Sequence, residues 1–360
     1  MKKKLIVTMC VGACILSLGA CGNVKETTIE DTTDVLSTTE AQTSIEVQEE
    51  SVAKVENVEE VSQVVTIENF NRSVEIEEKP ENVVLLTLNS AEMVAALGEA
   101  ESIVGISRNN NTVEDVLPEY YDMLKDKAFP DEINVGIPTL EGMLSLQPDL
   151  VVSNSYYFNV PVFGTYEDYQ TNEIDFYVTE GSYETNCTIE NTYHDIQNLG
   201  AIFGKEEDAQ QIIENMQKRI NAVVEKTEGL EAKRVMSFDS VNEDKFYVAG
   251  GVGLANNLIE LAGGENVFAD LESQFSSVTM EEIISRNPEV IVIHEYTNQV
   301  ENDAQTKIDF FKNTQELSEI EAVKNDCFVV LPLFAINPSL QNPDVVEQLA
   351  QKMYPEVFGN

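Results

Sequence analysis

The chain has 360 residues, with 22 Lys+Arg against 64 Asp+Glu and a formal net charge of −42 at pH 7. That length exceeds the ~100–200 residues of a typical domain and predicts two lobes, while 42% hydrophobic residues suffice for a sizeable core. So negative a chain repels phosphate backbones and anionic headgroups, which excludes nucleic acid as a partner, and two His exclude a three-His zinc site.

Residues 1–21 read MKKKLIVTMCVGACILSLGAC. Three Lys precede an apolar stretch from Leu5 to Leu18, shorter than the ~20 residues of a membrane-spanning helix. Leu18-Gly19-Ala20-Cys21 resembles the lipobox of bacterial lipoproteins. The resemblance implies a signal peptide over 1–20 and lipidation of Cys21; the alternative is a coincidental Cys after an ordinary signal. Multiple acyl chains on Cys21 would give stable membrane attachment. Cys10 and Cys14 would leave with the signal, so Cys187 and Cys327 remain, as a distant pair or as two buried free thiols. Residues 22–65 hold 11 acidic and 2 basic residues, net −9, with no helical or strand period. They predict a self-repelling, extended tether.

The body begins near Val64. Val83–Leu88 reads as a buried strand, and Ser90 as the cap of a helix over Ala91–Leu97 that Gly98 ends. Ile103–Ile106 is the next strand, Thr139–Leu146 a helix that Pro148 closes, and Leu150–Val152 another strand. This alternation predicts α/β lobes with mainly parallel sheets and helices on both faces. From Asn191 to about Glu228 runs the longest helical pattern, with apolar residues at Ile212, Ile213, Met216, Ile220, Val223 and Val224. Gly200 and Gly204 interrupt its early part, so a continuous helix is expected from Glu206. A second α/β unit opens at Arg234–Phe238 and continues through Leu258–Ala262, Val290–Ile293 and Phe328–Leu331. The expected organisation is a pair of α/β lobes, 66–190 and 231–360, joined by a bridging helix region 191–230 and preceded by the signal (1–20) and the lipidated tether (21–65).

An internal repeat supports two related lobes. Thr139-Leu-Glu-Gly-Met-Leu-Ser-Leu-Gln-Pro-Asp-Leu-Val-Val152 lies over Thr279-Met-Glu-Glu-Ile-Ile-Ser-Arg-Asn-Pro-Glu-Val-Ile-Val292 at a constant offset of 140 positions. Thr, Glu, Ser and Pro fall in register, although helix–Pro–acid–strand is also common α/β punctuation.

Together with VVLLTLNSAEMVAALGEAESIVGIS, LIELAGGENVFAD and VKNDCFVVLP, these segments resemble the iron-complex and vitamin B12 solute-binding proteins of ATP-driven importers. The resemblance covers residues 82–360. It implies two Rossmann-like lobes bridged by one long α-helix, with a transported ligand (an iron complex, siderophore or haem, or a corrinoid) held between them and no resident cofactor. It also implies an ABC permease and its ATPase as partners, and a monomeric receptor on the outer face of the cell membrane. In that family one Glu from each lobe docks on permease Arg residues; by motif position these are Glu141 and Glu281. Two fixed carboxylates suit bidentate pairing with Arg, although a Glu near a helix N-terminus also complements the helix dipole.

Ligands of open α/β sheets sit beyond the carboxyl ends of the strands. The loops expected there nominate Asn89, Arg108, Tyr156, Tyr157, Tyr247, His294 and Tyr296 as ligand-binding residues. The tyrosines offer flat amphipathic surface for a large ring or chelate, or pack on their own lobe. Arg108 can pair with a carboxylate or catecholate. His294 can serve as an axial haem ligand or corrinoid contact, or as an ordinary hydrogen-bonded His. Gly250-Gly251-Val252-Gly253 fails the GxGxxG pattern because Asn256 holds its last position, and no GxSxG or HExxH occurs. A non-enzymatic receptor is therefore expected; a surface chelatase on the same scaffold, or an adhesin without a transporter, are the rival readings.

Overall fold

A hairpin opens the described body. Its strands β1 (Val65–Asn69) and β2 (Arg72–Ile76) are antiparallel, and Phe70 and Asn71 turn between them with φ of 52° and 59°. Two successive left-handed residues give the turn whose twist matches a two-residue hairpin. The side chain of Asn69 pins the hairpin to the first lobe by bonding both the carbonyl and the N–H of Val178. The computed structural model describes residues 64–108, 111–129, 139–158, 163–297 and 302–359. The expected signal peptide, Cys21 and nearly all of the tether lie outside the described residues, as do Asn109 and Asn110.

The N-terminal lobe continues through β3 (Val83–Leu85), α1 (Leu88–Ala96), β4 (Ile103–Ile106), α2 (Pro118–Leu124), α3 (Leu140–Leu144), β5 (Leu150–Ser153), α4 (Ser155–Phe158), α5 (Tyr166–Thr171) and β6 (Asp175–Val178). Its four strands are parallel, in the order β4-β3-β5-β6. Alternate residues face two separate cores: Val83, Leu85, Leu150 and Val152 pack with α1, while Val84, Val151, Phe176 and Val178 pack with Met143 and Tyr169. A strand buried on both faces reads as an unbroken apolar run, which is why these strands were visible in the sequence. The apolar run 83–88 is only half strand. Thr87 rather than Ser90 is the helix cap, its hydroxyl accepting from the Ser90 N–H, so α1 starts at Leu88.

The C-terminal lobe comprises β7 (Lys233–Asn242), β8 (Lys245–Ala249), α8 (Leu254–Leu261), β9 (Gly264–Asn266), β10 (Phe275–Val278), α9 (Met280–Arg286), β11 (Val290–Glu295), α10 (Asp303–Asn313), α11 (Glu321–Lys324), β12 (Phe328–Pro332), α12 (Asn342–Met353) and α13 (Pro355–Phe358). The run 258–262 is therefore helical, with Leu254, Ala255, Leu258 and Ile259 buried at helical spacing. Parallel strands in the order β9-β7-β11-β12 repeat the β4-β3-β5-β6 arrangement, and β8 and β10 are antiparallel additions beside the second half of β7.

Between the lobes run α6 (Ile189–Phe203) and α7 (Glu206–Thr227). Gly204 separates them at φ 64°, a left-handed C-terminal cap that glycine adopts without strain. As expected, α7 starts at Glu206, but it stacks on α12 and α8 of the C-terminal lobe, where Arg219 holds Asp344 and Glu347. The bridge is α6. It packs on β1 and α1 on one side and α8 on the other, and its Asp195 accepts from the Tyr177 hydroxyl while Thr192 donates to Asn342.

Candidate ligand-binding cleft

Beyond the carboxyl ends of β3, β4, β5 and β6 lies a cavity of about 80 Å³. Asn89, Arg108, Asn111, Asn154 and Tyr157 line its N-terminal side, and Leu333, Phe334, Asn337 and Pro338 face them from the C-terminal lobe. A wider groove of about 840 Å³ runs past Arg72 and Tyr166, but Glu81, Asp149 and Asp175 place it at the amino ends of the strands. Ligand sites of open parallel sheets form at the other end, so the smaller cavity is the candidate site. Pockets for drug-sized ligands occupy ~300–1,000 Å³. As described, the two walls are closed on one another, and a large chelate requires them to part.

Three of the expected residues meet here. Asn89 is buried, and its side-chain amide donates across the cleft to the Pro338 carbonyl at 2.5 Å. Arg108 donates to the Phe129 carbonyl at 3.1 Å. Tyr157 is held by its own N–H, which donates to the Asn154 side chain, and by edge-on contacts with Tyr156 and Phe163. Burial, and then neighbouring Tyr156, raise its phenol well above the ordinary range. Tyr156 itself is 60% exposed and stays off the lining, as does half-buried Tyr247 on β8.

His294 and Tyr296 belong to a different cluster. His294 lies inside β11 rather than in a loop, with no exposed surface; its Nε2 is 2.7 Å from the Ser237 hydroxyl and its Nδ1 3.6 Å from Asp239. The Tyr296 hydroxyl donates to the same Asp239 carboxylate at 2.6 Å, and Ser240 donates to its other oxygen. Burial opposes charge on Asp239, but His294, Tyr296 and Ser240 outweigh it and hold the carboxyl at about 2. Lys307 sits 4.2 Å over the Tyr296 ring and pairs with Asp303. Sequence reading missed Asp239 because one carboxylate among 64 carries no signal of its own. It also missed Thr87, Thr179 and Ser182 on the cavity wall, which nothing in their spacing sets apart.

Residues near the wall tie its lobe to the other through neutral donors. The Gln341 amide donates to Glu92 and to the Asp115 carbonyl, and Thr297 donates to the Asp115 carboxylate. A Cβ on Gly181 would stand 2.5 Å from the Pro338 ring, so the lobes meet at this glycine with no room for a side chain.

Glu141 and Glu281 are both exposed in the first turn of their helices, α3 and α9. Thr139 and Thr279 cap those helices, accepting from the N–H of Gly142 and Glu282. Each Glu stands two residues after its cap, so the 140-residue repeat is also a repeat of local geometry.

Two α/β lobes of matching strand order, joined by a helix and closed over a cavity at the strand ends, define a bilobed binding protein. Residues 83–333 match the family model described as "Periplasmic binding protein", and the chain belongs to that family. It is a solute-binding protein and not an enzyme. It is 26% identical over 298 residues to an uncharacterized ABC transporter substrate-binding lipoprotein, YvrC, of Bacillus subtilis (strain 168), covering 82% of this chain and 87% of that one. A vitamin B12-binding protein of Yersinia pestis (strain Pestoides F) is 24% identical over 62% of this chain and 72% of its own. Among solved structures, an ABC-type Fe3+-hydroxamate transport system protein from Saccharomonospora viridis DSM 43017 superposes with a TM-score of 0.68 at 23% identity, over 82% of this chain and 99% of that one.

Proposed function

We propose that this chain is the extracytoplasmic receptor of an ABC importer, acting as a monomer, lipid-anchored through Cys21, and carrying an iron complex or a corrinoid to its permease. The observation that carries the reading is the cavity between two duplicated lobes in a chain of the periplasmic binding protein family. Relatives named for vitamin B12 and similar structures named for ferric hydroxamate support the ligand class. The exposed, equivalently placed Glu141 and Glu281 support docking of both lobes on one partner.

The test is thermal unfolding with ferric hydroxamate siderophore, haem and cobalamin in turn. A ligand that binds only the native state raises the melting temperature, by the equivalent of about 2.7 kcal/mol at a hundredfold excess over Kd. One of the three should do so; no shift with any of them sinks the ligand class. Separately, Cys21→Ala should move the protein from the membrane fraction to the medium, and retention would sink the lipid anchor.

A further inference from the structure

Glu92 has no exposed surface, yet among the described residues no cationic group pairs with it. Its Oε1 accepts from the Leu117 N–H at 2.6 Å, within its own lobe, and from Gln341 Nε2 at 2.8 Å, from the other lobe. Its Oε2 has no hydrogen-bond partner. The ionisable groups around it are Glu119 and Tyr120 of α2, Asp344 of α12, and Asp115, whose backbone carbonyl takes the other bond from Gln341. Gln341 in turn ends the cleft wall: its N–H donates to Ser339, and Asn342 ties the segment together by donating to Ala335 and Asn337.

We propose that Glu92, in its neutral protonated form, is the positioning residue that fixes the C-terminal wall of the cleft through Gln341, and that loss of its proton to solvent releases that wall. An ionised carboxylate with one bare oxygen, shut away from water and facing Glu119 and Asp344, carries a desolvation penalty far larger than that of the neutral acid. The two N–H bonds favour the charge, but burial outweighs them and draws the carboxyl up to about 7 from an ordinary 4.5. Water relieves the charge most directly on the side of Gln341, which is half-exposed, because the bond from Leu117 is internal to the lobe. The closed form therefore binds a proton that the open form releases. Opening is favoured up to tenfold per pH unit between about 4.5 and 7, and levels off above 7.

Hydrogen exchange on the full chain in detergent tests this without any ligand. Glu92→Gln keeps the acceptor oxygen but cannot ionise, so wild type is compared with it at each pH, which cancels the intrinsic pH dependence of exchange. The expected result is that amides of the wall, 333–341, exchange increasingly faster in wild type than in Glu92→Gln between about pH 5 and 7, by about tenfold per unit at most. Parallel behaviour of the two proteins would overturn the proposal. So would a pH effect confined to Leu117 and its neighbours, which would make Glu92 a core acid without hold on the wall. Gln341→Met, which lacks the donor and leaves α1 untouched, should exchange fast in the wall at every pH. Full protection in that variant would also overturn the proposal, whether or not Glu92→Gln folds.

Discussion

Asp149 and Glu289 stand 140 positions apart and make the same contact: each carboxylate accepts from a backbone N–H at the start of the adjacent strand. Asp149 takes the N–H groups of Glu81 and Asn82 before β3, and Glu289 takes that of Arg234 in β7. The backbone bond is repeated too, from Asp149 N–H to Asn82 and from Glu289 N–H to Arg234. In both lobes a left-handed residue, Gln147 at φ 52° and Asn287 at φ 44°, precedes the Pro that leads into the acid. Asp149→Ala and Glu289→Ala should each cost about 1–3 kcal/mol, read as a lower urea midpoint with unchanged slope. A silent Asp149→Ala would mean that the repeated contact is incidental.

On the proposed docking, delivery should separate from binding at Glu141 and Glu281. Replacing both with Ala should cut uptake at least about tenfold while ligand affinity stays within about twofold, since 1.4 kcal/mol is a factor of ten. Reversal to Lys should be worse than Ala if Arg residues face them. Normal uptake in the double variant removes them from the mechanism, and equal losses in uptake and affinity place them in the fold or the pocket.

Gly181 tests the closed cleft. Ala at this position meets the Pro338 ring at 2.5 Å unless the wall shifts, so Gly181→Ala should favour the parted walls that a large chelate requires, tightening ligand binding while lowering the melting temperature of the free chain by a few degrees. Titration and a thermal scan of the same preparation measure both. Unchanged affinity would show that the wall has another resting position.

Acid stability should report Asp239. Its carboxyl lies near 2 in the folded chain against an ordinary 3.8, so it contributes stability that is present above 3.8 and lost as pH falls towards 2. The size is roughly 2 kcal/mol, at 1.36 kcal/mol per unit. Asp239→Asn should be less stable than wild type at about pH 5, and the gap should close by about pH 2. A constant gap would mean that the loss is packing rather than charge.

Much of the fold was legible because doubly buried strands are unbroken apolar runs and because Pro148 and Pro288 punctuate both lobes alike. The hairpin β1–β2 escaped notice: it alternates buried and exposed residues over only five positions in each strand, and its turn carries Phe70 where Gly or Asn is usual. The bridging region 191–230 holds both α6 and α7, and which of the two spans the lobes was not legible for a physical reason. The longest amphipathic period belongs to α7, which has solvent on one face, whereas α6 is shorter and buried from several sides. At the site, loop positions after strands could be read from the α/β pattern, so Asn89, Arg108 and Tyr157 emerged. Strand length could not: β11 runs two residues past its apolar core, which draws His294 into the sheet and away from the cavity.

The contacts that hold the lobes together have a further consequence in a chain of net charge −42. Asn89 to Pro338, Gln341 to Glu92 and Asp115, Thr297 to Asp115, and Thr192 to Asn342 are hydrogen bonds in which no two opposite charges meet. Dissolved electrolyte screens charge pairs over about 8–10 Å near physiological strength, but leaves short bonds to neutral donors almost untouched. The grip of one lobe on the other should therefore be the same in dilute and in briny surroundings, while any pairing of Glu141 and Glu281 with cationic groups weakens as salt rises. Ionic strength would loosen the receptor from its partner without opening its hands.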